Sequence, residues 1–192
     1  MKRLFLVALV GGLPLVAFAQ SADSVMVEDP ALLPLPEELR AGAGVLGYDD
    51  EGALVIAREG AGPMVCLSDD PSRDGFHVAC YHRDLEPFMT RGRELRKAGM
   101  ERDELVEARG REISEGLLAM PSHPAALYSV TGPEGCYDAV AGTLCETRRL
   151  YVVYIPFATQ ESTGLSTEAT RGSPWLMNPG KPWAHIMMIP PE

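Results

Sequence analysis

The stretch FHVACYHRDLEPFM, residues 76–89, contains the point at which the chain changes from strand to helix. Its first half is largely apolar and aromatic, as is typical of a strand. Its second half places Leu85, Phe88 and Met89 at helical spacing. Asp84 stands just before this stripe, where a short acidic side chain is predicted to cap the helix. A chain that carries both patterns in one stretch is predicted to fold as α+β.

Helices and strands can be predicted outward from this stretch. Two helices are expected between Leu85 and Leu118, separated by a break at Gly99. The strands are predicted at residues 45–48, 53–58, 64–67, 76–81, 126–130, 150–155 and 185–189. The run LYVVYI at 150–155 is apolar on both faces and predicts a central strand, whereas 156–183 shows no clear element. We therefore expect a mostly antiparallel sheet of about six or seven strands, with the two central helices on one face.

The first residues have the pattern of a secretory signal. Lys2 and Arg3 precede a mostly apolar run, and small residues at 17 and 19 predict cleavage before Gln20. The alternative is an uncleaved N-terminal anchor. The predicted organisation is a signal peptide at 1–19, a Pro/acid-rich arm or linker at 20–43, and a single globular domain at 44–192. We expect a periplasmic or secreted protein that does not enter a membrane after cleavage.

The charge of the chain limits its partners. The formal net charge of −10 becomes −12 when Lys2 and Arg3 are removed with the signal. An acidic surface repels nucleic-acid phosphates and anionic lipid, so neither is an expected partner. The expected partners are a small molecule or an envelope protein.

All four cysteines lie beyond the signal: Cys66, Cys80, Cys136 and Cys145. An even number of cysteines in an oxidising compartment predicts two disulfides, for which three pairings are possible. The spacing favours the local pairs Cys66–Cys80 and Cys136–Cys145. Because the chain has no CxxC pair, neither a zinc-thiolate site nor a redox dithiol is expected.

A candidate site is predicted where the strand-to-helix junction meets the long segment 156–183. His82 and Glu86 lie at the junction, and His185 follows that segment. Ser162 and Thr163 belong to its hydroxyl-rich part and are the remaining candidates for binding a polar ligand. A cluster of imidazole and carboxylate groups suits metal binding or acid–base catalysis. The alternative for these residues is helix capping and structural hydrogen bonding.

Two other patterns have both a possible metal-binding role and a plain structural one. Residues 70–75 (DPSRDG) begin like a calcium loop, but the twelfth position is Tyr81 instead of a glutamate, which favours a polar turn. His185, Met187 and Met188 suit copper only if they share a side of their strand, and adjacent strand residues do not. The sequence therefore predicts no metal site and identifies no cofactor. The common hydrolase, metalloprotease and nucleotide-binding signatures do not occur in it.

Several ordered blocks resemble a group of exported bacterial proteins of unknown function. The blocks are CYHRDLEPFM (80–89), RGREL (91–95), YVVYIPFAT (151–159), ESTGL (161–165) and AHIM (184–187). The resemblance implies a single exported domain and supplies no catalytic residue or cofactor. The leading hypothesis is a non-enzymatic binder of a small polar ligand or an envelope partner. The alternative is a hydrolase-type enzyme that uses His82, Glu86 and His185.

Overall fold

The computed structural model describes residues 29–191, which form an α+β fold with one large sheet. Its strands are β1 (Gly44–Tyr48), β2 (Leu54–Arg58), β3 (Met64–Leu67), β4 (Phe76–His82), β5 (Ala125–Gly132), β6 (Tyr137–Asp138), β7 (Thr143–Leu144), β8 (Arg148–Tyr154), β9 (Trp175–Met177) and β10 (His185–Met188). Its helices are α1 (Glu37–Arg40), α2 (Glu86–Lys97), α3 (Arg102–Ser114) and α4 (Gln160–Thr163). The predicted signal peptide and cleavage site lie outside the described residues.

The large sheet has eight strands in the order β2-β1-β3-β4-β5-β8-β10-β9. β1 and β3 are parallel, and the other neighbours are antiparallel. The predicted mostly antiparallel α+β fold is confirmed, and β8 is central, between β5 and β10. The strand that raises the number to eight is β9, which the sequence did not indicate. It has three residues and lies among prolines and glycines, so its own pattern is too short to identify.

The two faces of the sheet carry different side chains. Cys66, Cys80 and Tyr128 lie on one face, which we call the cystine face. Because neighbouring residues in a strand point to opposite faces, Tyr81 and its partner Leu127 lie on the other, which we call the helix face. A separate two-stranded hairpin, β6–β7, packs against the cystine face through Cys136, which is buried with Phe76, Val78 and Val130.

Part of the segment predicted as an arm belongs to the core. A 3₁₀ turn at Pro30–Leu32 begins at Asp29, whose carboxylate accepts a hydrogen bond from the Ala31 N–H at 2.9 Å. Ala31, Leu32 and Leu35 are 0%, 3% and 2% exposed and pack beside the Cys66–Cys80 disulfide. The prediction that 20–43 lies outside the core is therefore wrong for this part. Proline and acidic residues suggested exposure, but these three side chains form an apolar surface that the sheet buries.

Both predicted disulfides are confirmed. Cys66 and Cys80 are directly opposite each other on β3 and β4, with sulfurs 2.07 Å apart. Cys136 and Cys145, with sulfurs 2.05 Å apart, close the β6–β7 hairpin. Each bond joins two cysteines that follow one another in the order of cysteines along the chain, as the spacing predicted.

Two helices fill most of the predicted region and are separated at Gly99, whose φ of +84° is left-handed. The predicted capping role of Asp84 is wrong. A 3₁₀ turn at Arg83–Leu85 precedes α2, and its cap is His82, whose Nδ1 accepts the Asp84 N–H at 3.3 Å. The added turn moves the helix start beyond Asp84. The second helix ends at Ser114 instead of Leu118, because Gly116 takes a left-handed φ of +73°.

The helices contact the helix face of the sheet mainly at one end. There Tyr81, Leu85 and Ala125 are buried with a ring of partly buried neighbours. A second cluster, Leu95, Leu105 and Ala108, holds α2 and α3 to each other. Because these two clusters are separate, a space remains between the helix pair and the strands β8, β9 and β10. Within residues 29–191, no helix has both the length and the apolar character needed to cross a bilayer.

Candidate functional site

A deep groove of about 1270 Å³ lies between the helix pair and the sheet. Its inner part is formed by Phe88 and Arg109 from the helices and by Tyr154 and His185 from the sheet, with Trp183 beside them. Three methionines, Met100, Met177 and Met187, add flexible apolar surface. The groove therefore combines aromatic walls with a small number of polar groups, as ligand sites commonly do.

Arg109 is the charged group inside this groove. Its guanidinium carbon lies 3.8 Å above the centre of the Phe88 ring, and Nη1 donates to the Phe88 carbonyl at 3.2 Å. Glu112, the acidic residue whose charge acts on it, is already bound to Arg91 at 2.6–3.0 Å. Among residues 29–191, no carboxylate forms an ion pair with Arg109. Burial lowers the pKa of Arg109, and the Arg96 charge adds to this effect.

Trp183 forms one wall of the groove and is held by close packing on α3. A Cβ atom at Gly110 would lie 2.6 Å from the Trp183 ring, so the ring fits only against a glycine. Arg109 Nε and Trp183 Nε1 are both buried without a hydrogen-bond partner among the described residues. An unpaired buried donor costs about 1–3 kcal/mol, so two of them beside one groove are unusual.

His185 and Tyr154 are cross-strand partners on the helix face, with ring centres 5.0 Å apart. The His185 Nδ1 lies 2.8 Å from the Trp183 carbonyl, and because a carbonyl only accepts, Nδ1 carries the hydrogen. Burial lowers the pKa of His185, despite the opposing effect of this hydrogen bond. Burial also raises the pKa of Tyr154 to about 12, although the Arg109 charge opposes the shift. Near neutral pH the groove therefore holds an uncharged imidazole and a phenol that keeps its proton.

The polar groups of the inner groove are mostly donors. Arg109 and the Trp183 indole only donate, the Tyr154 hydroxyl both donates and accepts, and the unprotonated nitrogen of His185 accepts. The mouth carries both signs of charge, with Arg73, Arg96 and Arg102 opposed by Glu101, Asp103 and Glu107. The inner part thus favours a ligand with acceptor oxygens, and an anion above all.

A second group of polar side chains lies where β4 ends and β5 begins. His123 Nε2 is 3.2 Å from Asp84 Oδ2, and His82 Nδ1 is 3.8 Å from the same oxygen. The two imidazole rings meet edge to face with centres 5.5 Å apart. Asp84 and His123 are about half exposed, so this cluster is shallow.

Glu86 does not join that cluster. It accepts hydrogen bonds of 2.7 Å from the Tyr81 hydroxyl, from Thr90 and from Arg93. Burial opposes its ionisation, but the bonds from Thr90 and Tyr81 and the Arg93 charge outweigh burial and lower the pKa of Glu86. Glu86 therefore anchors the first turns of α2 to β4.

Ser162 and Thr163 lie in α4, and both hydroxyls have local partners. Ser162 forms a capping box with Thr159, and the Thr163 hydroxyl donates to the Thr159 carbonyl at 2.8 Å. Both residues also line a shallow cavity of about 380 Å³ together with His123. The segment 156–183, which showed no clear element in the sequence, thus contains α4 and β9.

The structure brings together only part of the predicted site. His82 lies near the segment that holds Ser162 and Thr163, with His123 as the shared neighbour. His185 is on the helix face, whereas His82, opposite Met64, shares the cystine face with Cys80. His82 and His185 therefore point to opposite faces and do not form the predicted shared centre. Glu86 is hydrogen-bonded to Tyr81 on the helix face, and its approach to His185 stays a prediction.

Four residues of these sites are not predicted by the sequence. His123 belongs to the cluster with His82 and Asp84, and Arg109, Tyr154 and Trp183 belong to the groove. His123 had a detectable signal, since it lies between two prolines directly before a predicted strand. Arg109 is one of many charged residues on its helix. Only the structure shows that no described carboxylate forms an ion pair with it.

Comparisons with protein-family models, with curated proteins and with solved structures find no match to this chain. A function is therefore inferred from its side chains.

Proposed function

We propose that this chain is an exported binding protein that holds a small amphipathic anion in the groove between α2, α3 and the sheet. The observation that carries the proposal is Arg109, a partly buried guanidinium in an aromatic cavity that pairs with none of the carboxylates in residues 29–191. Buried charges in proteins are normally paired, because leaving water is costly for an ion. An anionic ligand group would supply the missing partner.

The other donors of the groove support an oxygen-rich ligand group. The Trp183 indole N–H is buried and has no hydrogen-bond partner within the described part of the chain, and the Tyr154 phenol stays protonated. A carboxylate, sulfonate or phosphate has enough acceptor lone pairs to bind more than one of these donors. Small readjustments of the Arg109 and Trp183 side chains are required, since Nε and Nε1 are covered in the free structure.

The walls support an apolar remainder of the ligand. Phe88, Tyr154 and Trp183 present rings, and Met100 and Met187 present thioethers that adapt to different shapes. A flat or unsaturated hydrocarbon attached to the anionic group matches this lining. An envelope protein is a less suitable occupant because the inner groove is recessed between the helices and the sheet.

The last part of the proposal is that the protein is exported from the cytoplasm. The two disulfides are compatible with an oxidising compartment, which supports a periplasmic or secreted location. In that location a soluble domain with a recessed site suits a ligand carrier or sensor.

The proposal can be tested with two fluorescent probes that differ by one group. 8-Anilinonaphthalene-1-sulfonate carries an anion, and N-phenyl-1-naphthylamine has the same ring system without it. The exported, oxidised protein should bind the sulfonate more tightly than the neutral amine. Arg109→Met should weaken sulfonate binding by about tenfold or more, since charge-assisted hydrogen bonds contribute about 1.5–3 kcal/mol, and should leave amine binding nearly unchanged.

Arg102→Met is the matched control, because Arg102 is exposed at the mouth of the groove. It should keep most of the preference for the sulfonate. Equal binding of both probes by the unmodified protein, or an equal loss with both arginine variants, would contradict an anion site at Arg109.

A further inference from the structure

We propose that His82, Asp84 and His123 bind one divalent transition-metal ion, with zinc as the best match. One potential ligand atom from each side chain lies within 4.8 Å of those of the other two. The two distances from the carboxylate oxygen are 3.2 Å to His123 and 3.8 Å to His82. In a tetrahedral zinc site, neighbouring ligand atoms lie about 3.3–3.6 Å apart, given metal–ligand bonds of about 2.0–2.2 Å. Small side-chain rotations therefore bring the three atoms to zinc-binding geometry.

The fold brings these residues together at one end of the sheet. β4 and β5 are antiparallel, so the residues that follow β4 meet those that precede β5. His82 and Asp84 belong to the first group, and His123 belongs to the second. The site thus depends on the central pairing of the sheet.

Each ligand is held by its local structure. Asp84 lies inside the 3₁₀ turn, and His82 is the cap of that turn. His123 stands between Pro121 and Pro124 in a short loop, where proline limits the backbone conformations available. Preorganised ligands lose less conformational entropy when an ion binds.

Neighbouring groups leave the carboxylate available to a cation. Arg83, adjacent to Asp84 in sequence, donates instead to the carbonyls of Gly60 and Gly62 at 2.7 and 3.0 Å. Among residues 29–191, the ion-pair partners of Asp84 are the two histidines. The hydrogen bond that His82 Nδ1 accepts is long at 3.3 Å, against a usual value of about 2.9–3.0 Å, so a metal ion displaces it at little cost.

The ligand types decide which ion fits. Two imidazoles and one carboxylate suit zinc and its transition-metal neighbours, whereas calcium and magnesium prefer oxygen ligands. Three protein ligands also leave a coordination position open, as in catalytic or exchangeable zinc sites. Asp84 and His123 are 50% and 49% exposed, so that position is open to water or to a small anion. His82, Asp84 and His123 are not among the residues that line the Arg109 groove, and the metal proposal does not depend on that groove.

The test uses the exported, oxidised protein and zinc alone. Competition with a chromophoric chelator should show one zinc ion per chain. His123→Ala should weaken binding by at least about tenfold, since even changes around the ligands of a metal cost 10–100-fold. His123 is exposed and outside the core, so this variant should remain folded. Asp84→Asn, which keeps the shape of the side chain, should weaken binding as well.

His77→Ala is the matched control, because it removes an exposed histidine of β4 away from the cluster. It should bind zinc like the unmodified protein. Imidazole NMR signals provide a second measurement, since only His82 and His123 of the four histidines should shift on zinc addition. Absence of zinc binding, unchanged affinity in His123→Ala, or an equal loss in His77→Ala would overturn the proposal. The sulfonate-binding test at Arg109 is unaffected by any of these results.

Discussion

The two faces of the sheet are covered to very different degrees. On the cystine face, Cys66, Cys80, Val78 and Val130 are fully buried beneath the N-terminal 3₁₀ turn and the β6–β7 hairpin. On the helix face, α2 and α3 leave a groove of about 1270 Å³ that contains Arg109, which has no carboxylate partner in residues 29–191. One face is closed by packing and disulfides, and the other is left open.

If the proposed function holds, this difference separates the part of the fold that provides stability from the part that binds a ligand. A fully packed face contributes dispersion and apolar burial, and cross-links limit its unfolded states. A groove with an unpaired charge and unsatisfied donors opposes folding and is kept where a ligand offsets the cost. We therefore expect substitutions on the cystine face to change the free energy of unfolding most, and substitutions in the groove to change binding most.

The largest effect on stability is expected from the buried disulfide. In the loop-entropy model, Cys66–Cys80, which spans 14 residues, and Cys136–Cys145, which spans 9, should contribute about 3 and about 2.5 kcal/mol. Those values are nearly equal, but only the first bond has both cysteines fully buried in a core cluster. The double variant Cys66→Ala/Cys80→Ala should therefore lose clearly more than Cys136→Ala/Cys145→Ala.

Urea unfolding of the two double variants measures this difference. An excess loss of about 1 kcal/mol or more for the first pair is expected from the cavity that remains, since missing buried volume adds to the cost. Equal losses for the two pairs would show that the cystine face contributes no more than chain entropy.

A smaller effect is expected when the groove loses its charge. Arg109→Met removes a cation that has no carboxylate partner, although it also removes the hydrogen bond to the Phe88 carbonyl. These changes oppose each other, so the free energy of unfolding should stay within about 1 kcal/mol of the unmodified protein. The same urea experiment measures it. A loss above about 2 kcal/mol would assign Arg109 a structural role instead of a binding role.

Much of the fold could be predicted because it depends on local signals. Strand alternation, the left-handed glycine at Gly99 and the spacing of the cysteines all act over a few residues. The errors occurred where tertiary contacts overrule composition. Leu32 and Leu35 are buried by the sheet, and β9 exists because β10 offers a hydrogen-bonding edge. Neither fact is contained in the segment itself.

The candidate sites were harder to predict, because they depend on which face a residue occupies and on what it fails to contact. The order of the elements in the chain allows His82 and His185 to meet, but the register of the sheet places them on opposite faces. The neighbour that His82 does contact, His123, lies 41 positions later in the sequence. Arg109 stands out because no carboxylate in residues 29–191 forms an ion pair with it. A sequence pattern does not show which charged residues remain without such a partner.

The smallest expected effect concerns the pH dependence of stability. Burial lowers the pKa of His185 in the folded protein below the value of 6.5 that an unperturbed histidine has. The unfolded chain therefore binds the proton more readily, and the free energy of unfolding should decrease as pH falls through about 6.5 and below. Above that range the neutral imidazole is favoured in both states, and its stabilising effect is fully present. Partial desolvation, followed by the Arg73 charge, also lowers the pKa of His77, although much of this side chain stays in contact with solvent, so both histidines contribute to the decrease.

The two contributions can be separated by urea unfolding at a series of pH values from about 7 downward. His185→Gln should reduce the pH dependence more than His77→Gln, because His185 is partly buried in the groove and the side chain of His77 is exposed. Measuring the affinity for the sulfonate probe over the same pH series tests whether His185 acts in the groove as well as on stability. Protonation of His185 adds a positive charge beside Arg109, so probe affinity should rise over the same pH range in which the free protein loses stability. A His185→Gln variant with the full pH dependence of the unmodified protein would show that the groove does not bury this imidazole as the structure places it.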